Sequence, residues 1–154
     1  MKRILVVCLG NICRSPAAEA VLTVKARERG IDAYFDSAGT IAAHAGAAPD
    51  IRMQRAAEKR GYDLSQIRAR RIELGDYYGF DIFLAMDLQN QSDALAMAPP
   101  DRKCDIRLLL DFADCDPREA PDPYYGGAEG FETVLDLIER ASDRFLDYLE
   151  DESG

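Results

Sequence analysis

An unbroken apolar run, Ile4-Leu5-Val6-Val7, leads directly into Cys8-Leu9-Gly10-Asn11-Ile12-Cys13-Arg14-Ser15 and then Pro16. No other stretch limits the possible folds as much. A β-branched run without polar alternation is how a strand buried on both faces of a parallel sheet reads. Gly10 and Asn11 make the octet a turn, and Ser15-Pro16 reads as an N-cap with proline at the first helical position. The alanine-rich segment that follows predicts a helix to Arg29, where Gly30 supplies the stop. Strand, tight loop and helix in succession are the opening half of a βαβ unit.

The same alternation continues down the chain. Residues 32–37 suggest a second strand, followed by a small-residue loop from Ala38 to Pro49. Asp50 caps a predicted helix over 51–60, ended by Gly61, and 81–86 reads as a third buried strand. A helix over 87–97 is stopped by Pro99-Pro100, a fourth strand is expected over 106–110, and 111–127 reads as loop. In the final helix Phe131, Val134, Leu135, Ile138, Phe145 and Leu149 keep a helical stripe between acids and arginines. The pattern predicts an α/β fold: one three-layer domain over 1–154, a four-stranded parallel twisted sheet with helices on both faces and a phosphate-binding loop after the first strand.

Charge and cysteine usage narrow the function. With 28 acidic against 19 basic residues the chain carries −9, which argues against nucleic acid as a partner. The N-terminal apolar run is too short for a signal peptide or membrane span, which predicts a cytoplasmic protein. Cys8, Cys13, Cys104 and Cys115 are too few for a disulfide scaffold, and a reducing compartment keeps them as thiols. With one histidine, His44, and no paired Cys-x-x-Cys, the cysteines make a poor zinc site, and no Gly-Lys-Ser or Gly-Lys-Thr marks a nucleotide loop. Neither metal nor cofactor is called for.

The chemistry concentrates in the octet. A loop that leaves a buried strand and enters a helix N-terminus gathers backbone N–H groups and the positive end of the helix dipole into an anion site. Arg14 adds a planar fork for two phosphate oxygens, and Gly10 lets the backbone approach closely. Of the four cysteines only Cys8 has an arginine six positions on. Donors around it, the Ser15 hydroxyl included, favour the thiolate and make Cys8 a nucleophile. The bland alternative, a buried strand-end cysteine beside helix-capping residues, fits any one of these residues but not the whole octet in its strand-loop-helix setting.

The octet with Pro16, close to the N-terminus, resembles the low-molecular-weight protein tyrosine phosphatases. Asp122-Pro123-Tyr124-Tyr125, Ser37-Ala38-Gly39-Thr40 and the final helix are similar to that family too, so the likeness covers nearly the whole chain. It implies hydrolysis of protein phosphotyrosine and aryl phosphates through a phosphocysteine on Cys8. Arg14 and the loop amides would bind phosphate, and Asp122 would serve as general acid, then base, with a mildly acidic optimum. It also implies that Leu9, Gly10, Asn11, Ile12, Cys13, Ser15, Tyr124 and Tyr125 bind substrate, and that Ser37 joins Asn11 and Ser15 in a supporting network. Cys13 would trap an oxidised Cys8 as a disulfide.

The chain departs from many relatives at Gln66-Ile67, where they place a histidine in that network, and at Ala43, where mammalian members place a large aromatic. His44 falls in the loop that the family uses as part of the cleft rim and reads as a solvated residue ahead of a substrate contact. Ile12 is branched where related arginine phosphatases carry a small threonine, which favours phosphotyrosine. The resemblance implies phosphotyrosine proteins as partners, with a bacterial tyrosine kinase one candidate, and a monomer or weak dimer. Two rivals share the loop: a thioredoxin-coupled arsenate reductase, which needs Cys104 and Cys115 as a relay, and an inactive phosphate-binding module. Arg68, Arg70 and Arg71 read as a solvated face or as sheet-edge partners of the abundant acids.

Overall fold

The opening apolar run forms the centre of the sheet. In the computed structural model, which describes residues 1–102, 105–113, 119–123 and 127–153, β1 (Lys2–Cys8) lies between β2 (Ala33–Gly39) and β3 (Ile82–Ala85), with β4 (Asp105–Leu108) beyond β3. All three pairings are parallel. Successive side chains of β1 alternate between faces. Ile4 and Val6 enter one core with residues of α1 (Arg14–Arg29), α2 (Ile51–Glu58) and α5 (Ala128–Ser153). Leu5 and Val7 enter the other with Tyr77 of α3 (Asp76–Gly79) and Ala94 of α4 (Leu88–Ala96). Ile4 through Val7 have no solvent exposure at all, which is why the run lacks polar alternation.

The predicted fold class and the four parallel strands hold, and the differences have local causes. The Ser15 cap does not form: α1 begins at Arg14 with Cys13 at the N-cap and no side-chain cap bond, because the Ser15 hydroxyl bonds to Cys8 and Asn11 instead. The fourth strand stops at Leu108, and Leu109–Ala113 turn into a 3₁₀ helix. Leu109 and Leu110 are as buried there as in a strand, so hydrophobicity alone could not place the boundary. The four-residue α3 is too short to carry a period and was not anticipated. Asp50 and Asp87 cap α2 and α4, accepting from the Arg52 and Asn90 N–H groups.

This topology decides where a ligand can sit. From β1 the chain crosses to β2 on one side, and β3 lies on the other. Loops leaving β1 and β3 therefore diverge, opening a crevice at the carboxyl ends of the strands. Residues 8–13, 39–44 and 87 all meet at that end. Among the described residues no helix is long and apolar enough to cross a membrane.

Candidate active site

Cys8 ends β1 and Arg14 begins α1, so the intervening loop must reverse the chain within a few residues. Asn11 achieves this in the left-handed region, φ 58°, a conformation asparagine tolerates better than most residues. The N–H and both side-chain polar atoms of Asn11 are committed. Its N–H points at Cys8 Sγ (3.3 Å), its Nδ2 donates to Ser15 Oγ (2.8 Å), and its Oδ1 accepts the Arg70 N–H (3.0 Å). Ser15 Oγ lies 2.9 Å from Cys8 Sγ. Because that oxygen already accepts from Asn11, its own proton is free to point at the sulfur, the arrangement a thiolate requires.

The loop is supported from β2. Thr40 and Ile41 donate their N–H groups to the carbonyls of Cys8 and Leu9 at 3.0 and 3.2 Å. Gly39 makes this approach possible, since a Cβ there would stand 2.6 Å from the Leu9 carbonyl oxygen and 3.2 Å from the Asn11 nitrogen.

Arg14 is 3% exposed. Its Nη1 donates to Asp87 Oδ2 at 2.6 Å and to the Ala120 carbonyl at 3.0 Å, while Nη2 lies 3.6 Å from Asp122 Oδ2. Burial works against the guanidinium charge, and Cys8, Asp87 and Asp122 more than offset it. The same contacts dock the segment bearing Asp122, which is also tied down by the Ala120 N–H to the Met86 carbonyl and by Glu119 on the Leu88 N–H.

The resulting cleft holds about 240 Å³ and is lined by Cys8, Leu9, Gly10, Ile12, Cys13, Arg14, Ile41, Ala43, His44 and Asp122. Sulfur and guanidinium lie at its buried end, and Asp122, 41% exposed, lies where water can reach it. Of the residues singled out from the sequence, Tyr124, Tyr125, Cys104 and Cys115 lie outside the described residues. His44 is half-buried and rests against Gly10, where a Cβ would meet its ring at 2.9 Å, so it forms cleft wall and is not the solvated loop residue expected. Ile67 is partly buried against the core, and the Asn11 side chain takes a backbone donor from Arg70.

Ser37 has a different partner from the one expected. Its hydroxyl donates to Glu19 Oε1 on α1 at 2.6 Å, not to Asn11 or Ser15. Glu19, Asp87, Gly39, and the Arg70 main chain were missed as site components. The sequence carried a signal only for Asp87, a helix cap directly after a strand at the sheet's carboxyl end. Burial beside Asp50 and Asp122 pushes the Cys13 thiol well up, so it stays protonated at neutral pH. Burial also raises the Glu19 carboxyl from 4.5 to about 7, with Asp36 adding to the shift and the Ser37 bond and Arg70 opposing it. A raised carboxyl binds its proton more tightly folded than unfolded. Stability is therefore lost as pH rises from the ordinary value towards 7, and the loss is complete above that. Glu19→Gln keeps an acceptor for Ser37 and removes the titration. Its melting temperature relative to the native chain should rise between pH 5 and pH 8, and a constant difference would contradict this account.

The low molecular weight phosphotyrosine protein phosphatase family matches residues 3–153. A low molecular weight phosphotyrosine protein phosphatase of Schizosaccharomyces pombe is 38% identical over 148 residues, covering 94% of each chain. A crystal structure of a protein tyrosine phosphatase from Entamoeba histolytica superposes with a TM-score of 0.93 at 38% identity, covering 100% of both chains. The structure of YfkJ from Bacillus subtilis superposes at 0.92 with 35% identity, covering 100% of this chain and 98% of that one. With likeness of this extent in sequence and in fold, the chain belongs to the low molecular weight phosphotyrosine protein phosphatase family, a family of hydrolases.

Proposed function

We propose that the chain cleaves protein phosphotyrosine and small aryl phosphates through a phosphocysteine formed on Cys8. The observation that carries this reading is the convergence, in one cleft, of a sulfur aligned by Asn11 and Ser15, a buried guanidinium and an accessible carboxyl. Nη1 of Arg14 is committed to Asp87 and Ala120. The edge formed by Nε and Nη2, with Nη2 3.6 Å from Asp122 Oδ2, is the one that would meet two equatorial phosphate oxygens.

Cys8 Sγ attacks phosphorus while Asp122, protonated, gives its proton to the departing phenolate oxygen. Ionised, Asp122 then takes a proton from water, which displaces the cysteine sulfur and releases phosphate. Arg14 and the loop N–H groups hold the phosphoryl oxygens through both steps, and the helix dipole of α1 adds to their field. Leu9, Ile12 and Ile41 supply apolar walls for the ring. A branched Ile12 leaves less room for the wider guanidinium of phosphoarginine. Residues 1–154 act as one catalytic domain, a reading supported by the core that β1 and α5 share.

In the same reading Cys13 protects the nucleophile. A sulfenic acid on Cys8 condenses with the Cys13 thiol to a disulfide, releasing water. Peroxide should give a Cys8 to Cys13 disulfide that dithiothreitol reverses with recovery of activity, and sulfonic acid on Cys8 as the sole product would reject this role.

The acid assignment is tested with two leaving groups. Asp122→Ala should slow phosphate release from phosphotyrosine by about a hundredfold. It should slow release from an activated aryl phosphate far less in the phosphorylation step, read by rapid mixing. Equal losses on both substrates would remove Asp122 from the role of acid.

A further inference from the structure

Between α2 and α3 the described chain has no helix or strand, only a single parallel bridge from Gly39 to Arg71. Yet this stretch supplies the donor that fixes Asn11. The Arg70 peptide is held at both ends, its N–H on Asn11 Oδ1 at 3.0 Å and its carbonyl accepting the Gly39 N–H at 2.8 Å. On either side, Ala69 donates to the Ala47 carbonyl and Ile72 to the Gly39 carbonyl, both at 2.9 Å.

The side chain of Arg70 reaches across two elements. Its guanidinium grips Asp76 with two contacts, Nη1 to Oδ2 at 2.9 Å and Nη2 to Oδ1 at 3.1 Å, and Nη2 also meets Asp36 Oδ2 at 3.1 Å. Asp36 belongs to β2 and Asp76 begins α3. Asp76 is itself fixed by the Glu73 N–H at 2.7 Å and is 8% exposed. Arg70 is 29% exposed at its side chain. A two-pronged, half-buried contact of this kind is held more firmly than an open surface pair.

We propose that Arg70 is a positioning residue for the nucleophile. Its ion triad with Asp36 and Asp76 sets the height of the peptide at residue 70 against the end of β2. Three hydrogen bonds then run from that peptide to the sulfur: Arg70 N–H to Asn11, Asn11 to Ser15, and Ser15 with Cys8. Asn11 stands at positive φ, so it stays there only while its partners hold it. When residue 70 shifts, Asn11 relaxes, and Cys8 loses both the Asn11 N–H and the orientation of the Ser15 hydroxyl. The inference rests on the phosphatase reading for its effect on turnover, but its effect on the sulfur does not depend on catalysis.

The test therefore uses both readouts on the full chain. Arg70→Met removes the charge and keeps the stem, and Arg70→Lys restores a point charge. Iodoacetate labelling of Cys8, located by mass spectrometry, is followed against pH, together with kcat and KM on an aryl phosphate. Arg70→Met should lower kcat about five- to tenfold with KM within about twofold, and should slow labelling of Cys8 at pH 6 by a similar factor. Arg70→Lys should recover part of both losses. A folded Arg70→Met with native kcat and a native labelling profile, only its melting temperature lowered, would overturn the proposal and leave Arg70 a structural clamp. Should Arg70→Met not fold, Asp76→Asn, which weakens the two-pronged contact, is judged by the same two outcomes. Absence of turnover in the native chain would refute the phosphatase reading, and the labelling profile would still decide the role of Arg70.

Discussion

A buried arginine is the constraint around which the site is organised. Taking a guanidinium out of water costs several kcal/mol unless its donors are satisfied. Arg14 is satisfied from two separated stretches of chain: Asp87 at the N-terminus of α4, and the segment that supplies both the Ala120 carbonyl and Asp122. The loop after β1, the entry to α4 and the segment carrying Asp122 are consequently held by one cation. Removing it would leave Asp87 Oδ2 without its guanidinium partner at a largely buried position. The geometry proposed to bind phosphate and the geometry that holds the loops together are the same.

A second set of contacts prepares the sulfur. β1 delivers Cys8 to the crevice of the parallel sheet, and α1 turns its positive end towards it. Asn11 joins these by accepting a strained backbone and bonding to Cys8, Ser15 and Arg70 together. Serine at position 15 thus bonds to the sulfur instead of capping its helix, so a helix cap is given up for the alignment of the Cys8 sulfur. Cys13, a few residues away and buried among acids, is held as a thiol. Two cysteines of one loop thus have different neighbours: Cys8 meets the Ser15 hydroxyl and the Asn11 N–H, and Cys13 lies near Asp50 and Asp122.

Much of this was legible in the sequence. Ile4 to Val7 revealed a strand buried on both faces, and the octet revealed the anion loop, because both signals are local. The last helix was equally plain, its stripe continuing over many turns. Asp50 and Asp87 could be read as helix starts, but the partner of Asp87 lies 73 residues away in sequence, and no spacing rule reports such a contact. Glu19 and Ser37 meet across α1 and β2, 18 residues apart, and Ser37 was assigned to the wrong partner for that reason. For Arg70 a solvated face and a sheet-edge pairing with acids were both open, and its side chain makes the pairing. What the reading could not contain was its peptide N–H, since backbone donors look alike in a sequence. The boundary between β4 and the 3₁₀ turn was lost because Leu108, Leu109 and Leu110 are buried in both.

The central claim is that phosphate passes through the sulfur of Cys8. The most direct measurement mixes the native chain rapidly with a phosphotyrosine peptide labelled in its phosphate, quenches in acid, and maps the label by mass spectrometry. The account predicts transient labelling approaching one phosphate per chain, located on Cys8 and absent in Cys8→Ser. Continued phosphate release with no label on Cys8, or with release retained in Cys8→Ser, would contradict it.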